Sequence, residues 1–332
     1  VPQLFRDGTI PLDVAFINCS VPDENGYVST GVSADLTPSA IECAKVLVAQ
    51  INPLMPFTYG DSVVHMSRFD AIVRVNDPLA ETKETVPTAE ELMIGRHIAE
   101  HINDGAVLQV GVGAIPNAVL YSLANHKHLG LHTEAMTDGM VDLIEKGVID
   151  NSLKQVEPGV SIASLAIGTR RLYDFLDHNR SILFKDIAWV NDPFLIAQNK
   201  NMAAINSCLE IDLSGQVCAD SIGTRIYSGV GGQHDFVYGS SRSVGGQSFI
   251  AMLSRTSKGE SKIKPVLTPG AGVVTTRFQT NWVVTEYGAV NLRGKNMIER
   301  ARLLISIAAP EFREELEREA FKMLGYAFHR WW

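Results

Sequence analysis

Between Ala106 and Leu176 the chain alternates short apolar runs with segments of helical spacing. Ala106 to Val110 reads as a strand and Asn117 to Leu123 as a helix. Gly130 to Thr133 reads as a short strand and Met140 to Lys146 as a helix. Val160 to Ile167 is a strand again, and Arg170 to Leu176 a helix. Neighbouring parallel strands need a long crossover, and a helix is the usual one. The repeated alternation therefore indicates an α/β fold with a mostly parallel sheet.

The flanks add further elements. Asp13 to Ser20 reads as a buried strand, and Tyr27 to Ser29 as a second after the turn Pro22 to Gly26. Thr37-Pro38 opens a helix expected to run through Ile41, Ala44, Lys45, Val48 and Ile51 to Asn52-Pro53. Asp77 to Thr88 is polar and reads as a linker. Thr88 then caps a helix with Glu91 in capping-box position. Met202 to Ser228 is β-rich with close turns and is expected to be antiparallel. Phe249 to Leu253, Ile263 to Leu267 and Trp282 to Thr285 read as strands, and Met297 to Ile307 and Glu311 to Leu324 as helices.

Composition narrows the functional classes. A length of 332 residues suits two domains, and 45% hydrophobic residues can fill a large core. Apolar stretches such as Val160 to Ile167 are too short to span a bilayer, so no membrane partner is expected. No signal-peptide pattern is seen, and a cytoplasmic location is expected. A net charge of −8 argues against a general nucleic-acid binder. Cys19, Cys43, Cys208 and Cys218 lack metal or redox spacing and read as free, mostly buried thiols. His126, His128 and His132 lack a fourth ligand at suitable spacing, so no metal is expected.

Four segments carry candidate chemistry. Gly111-Val112-Gly113 follows a strand and precedes a helix, where backbone amides can hold an anion or carbonyl oxygen. Pro116 stands where a dinucleotide motif would place its third glycine, which weakens that reading. A plain tight turn is the alternative. Glu134, in LHTEAMTDG, is a carboxylate among small and apolar residues one βα unit later. Alone it reads more readily as a surface or strand-end carboxylate. The cluster Gly229 to Phe236 can form an oxyanion hole, a cradle for a pantetheine arm, or a simple hinge. Glu286 can orient a catalytic group, but an ion pair with Arg293 is the preferred reading. Arg255, Lys258, Lys262 and Lys264 form a local basic loop, solvated on charge alone. No Gly-x-Ser-x-Gly motif supports a serine hydrolase.

Taken in order, GVGAIPNAV, LHTEAMTDG, SGVGGQHDF and TEYGAVNLRGK closely resemble the acetyl-CoA hydrolase/transferase family of class I CoA-transferases. The segments IPLDVAFINCSVPDENGYVSTG and MPFTYGDSVVHMS agree, so the resemblance spans essentially the whole chain. Within the family, the 4-hydroxybutyrate and butyrate:acetate CoA-transferase branch is the most similar. The resemblance implies two α/β domains of the CoA-transferase type with open, mixed or parallel sheets and the active site between them. Residues 1–86 would be the C-terminal part of the first domain, and 87–332 the second. A first domain shortened by about 100 residues is expected, given typical domain sizes.

The resemblance also implies residue roles. Glu134 matches the catalytic glutamate. Gly111, Val112, Gly113, Ala114 and Ile115 match a CoA-contacting turn, Gly232 a CoA-contacting glycine, and Leu209 a further contact. Lys258 and its neighbours become candidates for the CoA phosphates. The implied activity moves CoA between a short-chain acyl-CoA and a free carboxylate, with acyl-CoA and small carboxylates as partners. It runs in ping-pong fashion through an acyl-glutamyl anhydride and a glutamyl-CoA thioester. Coenzyme A is then a substrate, and no metal or other cofactor is expected. A homo-oligomer, in particular a homodimer, is expected. An acyl-CoA hydrolase using the same site is the alternative, and a non-catalytic CoA-binding subunit is the third reading.

Overall fold

The computed structural model describes residues 1–83 and 85–328. The chain forms two compact units, Val1–Glu84 with Lys127–Gln198, and Thr85–His126 with Asn199–Trp332. The division expected at 86/87 put 127–198, and with it Glu134, in the second domain; packing groups that span with the N-terminal residues instead. Long-range hydrogen bonding is the reason. Tyr59–Gly60 pairs with Ile182–Phe184, which pairs with Ser161–Ala163. Val32 and Ala34 bond to Ala166 and Ser164.

In the first unit, strands Val14–Cys19, Val46–Ile51 and Ala71–Arg74 form a parallel sheet in that order. Alternation at period two turns Ile17, Cys19, Leu47, Ala49 and Ile51 inward against Val28 and Ile41. The opposite face leaves Phe16 75% exposed. The strand Val46–Ile51 corrects the long helix expected from Thr37 to Ile51. Only Thr37–Cys43 is helical, and Ala44 turns extended. Ile41, Val48 and Ile51 happen to fit helical spacing, but VLVAQI is mostly apolar and pairs with Val14–Cys19 over six residues. Nor does Thr37 cap the helix: Leu36 holds the N-cap position, with no side-chain cap bond.

The same unit contains strands Ala135–Met136 and Leu165–Ala166, paired in parallel. The expected strand Val160 to Ile167 is broken at Ser164 into Ser161–Ala163 and Leu165–Ala166. Helix Asp138–Glu145 is followed by a polar turn around Asn151 to Lys154. Lys154 is only 4% exposed, and its Nζ donates to Leu131 O (2.9 Å) and Val160 O (2.7 Å). Burial pulls its ammonium down to about 7.

In the second unit, sheet neighbours run in the order Gly288–Asn291, Trp282–Thr285, Gln247–Ala251, Met202–Ser207, Val107–Val110. The first pair is antiparallel and the others parallel. Met202–Ser207 was expected in an antiparallel region. It is parallel because the helix Gln233–Arg242, unforeseen in the sequence, crosses back before Gln247–Ala251. Antiparallel pairing does hold for Glu210–Asp212 with Val217–Cys218 and for Ser221–Ile222 with Arg225–Ile226. Helices Met297–Ser306 and Pro310–Leu324 cover one side, burying Ala301, Leu304, Ile305, Leu316 and Ala320 with Ile250 and Val283.

The capping box at Thr88 forms as expected. Glu91 N–H donates to Thr88 Oγ1 (3.3 Å), and Thr88 N–H donates to Glu91 Oε2 (2.8 Å). It starts helix Ala89–Ala99, which packs closely on helix Ala114–Ser122. A Cβ on Gly95 would lie 2.4 Å from Ala118 O.

The close approach at Gly95 and the burial of Lys154 each have a measurable consequence. Gly95→Ala normally strengthens a helix by about 0.5–1 kcal/mol, but here it forces the two helices apart and should destabilise by about 1–3 kcal/mol in urea titrations. A gain in stability would show that the helices do not touch at Gly95. The second concerns Lys154. Its folded pKa of about 7 lies below the unfolded value of 10.5, so above pH 7 the unfolded chain binds more protons. Stability should therefore rise from pH 7 to 8.5, by at most about 1.4 kcal/mol per unit from this group. Lys154→Met should flatten that rise, measured as the difference between the two denaturation series.

Candidate functional site

Glu134 stands at a bend between Thr133 and the strand Ala135–Met136. Its position is set through the backbone. Thr133 N–H donates to Ile162 O (3.0 Å), and Glu134 O accepts the N–H groups of Ser164 (2.9 Å) and Leu165 (3.1 Å). Ser164 is itself fixed, since its carbonyl accepts Ala34 N–H (2.8 Å) and its hydroxyl donates to Lys185 O (2.8 Å). The residues around Glu134 are buried, whereas Glu134 is half-buried. A residue so placed is partly open to solvent while its main chain is held by these hydrogen bonds.

His132, two residues earlier, is fully buried, with Nε2 2.8 Å from Val190 O and its ring stacked on Trp189. Burial drives its pKa down to about 4, so the ring is neutral at pH 7. His128 instead meets Asp150 at 2.7 Å, and His126 meets Ile102 O at 3.0 Å. The three histidines thus have three separate structural partners. Among the described residues, no group of three or more His, Cys, Asp or Glu side chains is placed to hold a metal ion.

The glycine turns lie in the second unit. Gly111 follows the strand Val107–Val110, and its N–H donates to Ile205 O on the neighbouring strand. Gly113 is the N-cap of Ala114–Ser122 at φ 135° and ψ −176°, a backbone region essentially reserved for glycine. Ala114 and Ile115 occupy the first helical turn, where N–H groups lack intrahelical partners and the helix dipole favours negative charge. Val112 is 48% exposed at the tip.

Gly232 caps the helix Gln233–Arg242, and Gly231 before it takes φ 61°. The helix is tied to the sheet by Gln233 Nε2, which donates to Ser207 O (2.8 Å) at the end of Met202–Ser207. Leu209 is half-buried just beyond that strand, with its N–H on Cys218 O. Gly111 to Ile115, Leu209 and Gly232 are therefore associated with the carboxyl ends of two adjacent parallel strands. Ligands of open α/β sheets bind at such ends.

Lys258 is exposed in a tight loop from Ser254 to Ser261. Thr256 Oγ1 accepts the N–H groups of Lys258 (3.3 Å) and Glu260 (3.2 Å). The basic cluster is smaller than the sequence suggested, because Arg255 pairs with Glu311 at 3.0 Å. Glu286 corrects another expectation. It does not rest on an ion pair with Arg293; it is buried and accepts both the N–H (2.8 Å) and the hydroxyl (2.6 Å) of Ser254. Its role is to anchor the loop that carries Lys258. The sequence did place Glu286 at a strand end, and the serine partner is 32 residues away.

Known proteins give the context for these residues. The chain matches the acetyl-CoA hydrolase/transferase N-terminal domain over residues 1–87 and the C-terminal domain of the same family over residues 168–320. It is 48% identical to a succinyl-CoA:acetate/propanoyl-CoA:succinate CoA transferase of Fasciola hepatica, over 98% of this chain and 68% of that protein. It is 47% identical to a 4-hydroxybutyrate coenzyme A transferase of Clostridium kluyveri, over 96% of this chain and 75% of that protein. Among solved structures, a 4-hydroxybutyrate CoA-transferase of Porphyromonas gingivalis superposes with a TM-score of 0.88 at 43% identity, covering 97% of this chain and 78% of the other. The chain belongs to the acetyl-CoA hydrolase/transferase family.

Proposed function

We propose that this protein is an acyl-CoA:carboxylate CoA-transferase with Glu134 as its nucleophile. The observation that carries the reading is the held, half-buried Glu134, in a chain nearly half identical to CoA transferases over almost its whole length. The glutamate carboxylate attacks the thioester carbonyl of the acyl-CoA, giving an acyl-glutamyl anhydride and CoA thiolate. The thiolate attacks the glutamyl carbonyl and expels the acyl carboxylate, leaving a glutamyl-CoA thioester. The acceptor carboxylate attacks that thioester, and the released thiolate then attacks its acyl carbon, forming the new acyl-CoA and restoring Glu134. The thioester is exchanged and not consumed, so the scheme requires neither ATP nor a metal. This is covalent catalysis that divides one transfer into easier exchanges.

In this reading Gly111 to Ile115, Leu209 and Gly232 cradle CoA, and Lys258 meets its phosphates. Amides near Val112 and Gly232 stabilise the tetrahedral oxyanions. A short-chain acid such as acetate, butyrate or 4-hydroxybutyrate is the acceptor class. A cytoplasmic protein is in keeping with four free cysteines. Exposed large apolar side chains such as Phe278 and Ile226 suit a homo-oligomer.

Incubation with an acyl-CoA followed by borohydride or hydroxylamine should modify Glu134, read by peptide mass spectrometry. Glu134→Asp should lower transfer on the order of 10³-fold or more, as loss of a covalent nucleophile does elsewhere; an unchanged rate would remove Glu134 from the mechanism. Turnover should depend on added carboxylate, and a rate independent of it would make water the acceptor. Gly113→Ala, strained by about 1–3 kcal/mol at that φ, should raise the KM for acyl-CoA more than it alters the melting temperature. An unaltered KM would argue against CoA binding at this turn.

A further inference from the structure

Leu131 lies three residues before Glu134, and both of its backbone groups are engaged by one polar turn. Its carbonyl accepts Lys154 Nζ at 2.9 Å, and its N–H donates to Asn151 Oδ1 at 2.9 Å. The same two side chains also reach the neighbouring segment. Lys154 Nζ donates to Val160 O at 2.7 Å, and Asn151 Nδ2 donates to Ser161 Oγ at 3.0 Å. That segment continues to Ile162, Ser164 and Leu165, whose backbone groups fix Thr133 and Glu134. Both backbone segments that determine where Glu134 sits are therefore bolted to residues 151–154.

The turn is itself constrained. Asn151 takes φ 57°, and its carbonyl accepts the N–H groups of Gly159 and Lys154. Burying an amine is expensive, and a methionine would fill a similar space without that penalty. The amine is retained where its directional donors can join two main-chain carbonyls.

We propose that Lys154 and Asn151 are positioning residues that hold Glu134 in its attack geometry. Both are buried; each acts through the Leu131 backbone, Lys154 also through Val160 O and Asn151 through the Ser161 hydroxyl. The inference rests on Glu134 being the nucleophile, as proposed above. A displacement of about 1 Å in a reacting group can cost about 100-fold in rate, so the effect should fall on the chemical step and spare binding.

The test measures the rate of glutamyl-CoA adduct formation from butyryl-CoA by rapid quench and mass spectrometry. It uses the full chain at temperatures where circular dichroism shows each variant folded. Lys154→Met should slow adduct formation by about 10–100-fold, with the KM for butyryl-CoA within about twofold of the parent. Ser161→Ala removes only the far anchor of Asn151 and is the milder variant. It should slow the same step by about threefold with KM unchanged, which keeps the test decisive if Lys154→Met does not fold. Adduct formation at the parental rate in the folded variants would overturn this inference and leave the nucleophile assignment intact. So would equal effects on KM and rate. Intact transfer with no Glu134 adduct in the parent protein would overturn both.

Discussion

Parallel pairing in the second unit constrains much of what the molecule can do. Val107–Val110, Met202–Ser207, Gln247–Ala251 and Trp282–Thr285 point the same way. Each must therefore release its following segment at the same edge of the sheet. The glycine turn, Leu209 and the loop bearing Lys258 all leave from that edge. Helix N-termini at Gly113 and Gly232 bring unsatisfied N–H groups to such exits. A chain of net negative charge can present a local anion-binding surface in this way without a large excess of lysine.

Buried carboxylates are handled by a recurring device. Glu286 accepts the N–H and hydroxyl of Ser254, Asp138 those of Thr169, Glu210 those of Thr268, and Asp212 those of Ser214. In each case the N–H and hydroxyl of one residue meet the carboxylate with short bonds, and Asp212 accepts two more from Gln216. These carboxylates are buried and committed to the fold. Glu134 differs in being half-buried, and its backbone carbonyl accepts the Ser164 and Leu165 amides.

The sequence revealed those parts of the fold that depend on local chemistry. The capping box at Thr88, the glycine turn after Val110 and helix Arg170–Leu176 are written in adjacent residues. Glu134 was singled out by its neighbours and by its place in an ordered set of motifs. Other features required distant partners. Val46–Ile51 carries a spacing compatible with a helix or a strand, and pairing with residues 14–19 decided it. Helix Gln233–Arg242 is rich in polar and small residues and has little apolar stripe to announce it. Nothing in the residues beside Lys154 marks it as buried, because the carbonyls it meets lie at Leu131 and Val160.

Ser164 breaks a strand, yet it joins Glu134, Ala34 and Lys185 through its backbone and hydroxyl. The amides that meet at Glu134 O cannot open by fraying at a chain end, because they are held from several distant segments at once. Their hydrogen exchange would require cooperative opening of the surrounding unit. The location of Glu134 is then a property of that whole unit, and its loss on heating would keep pace with the unit's unfolding instead of preceding it.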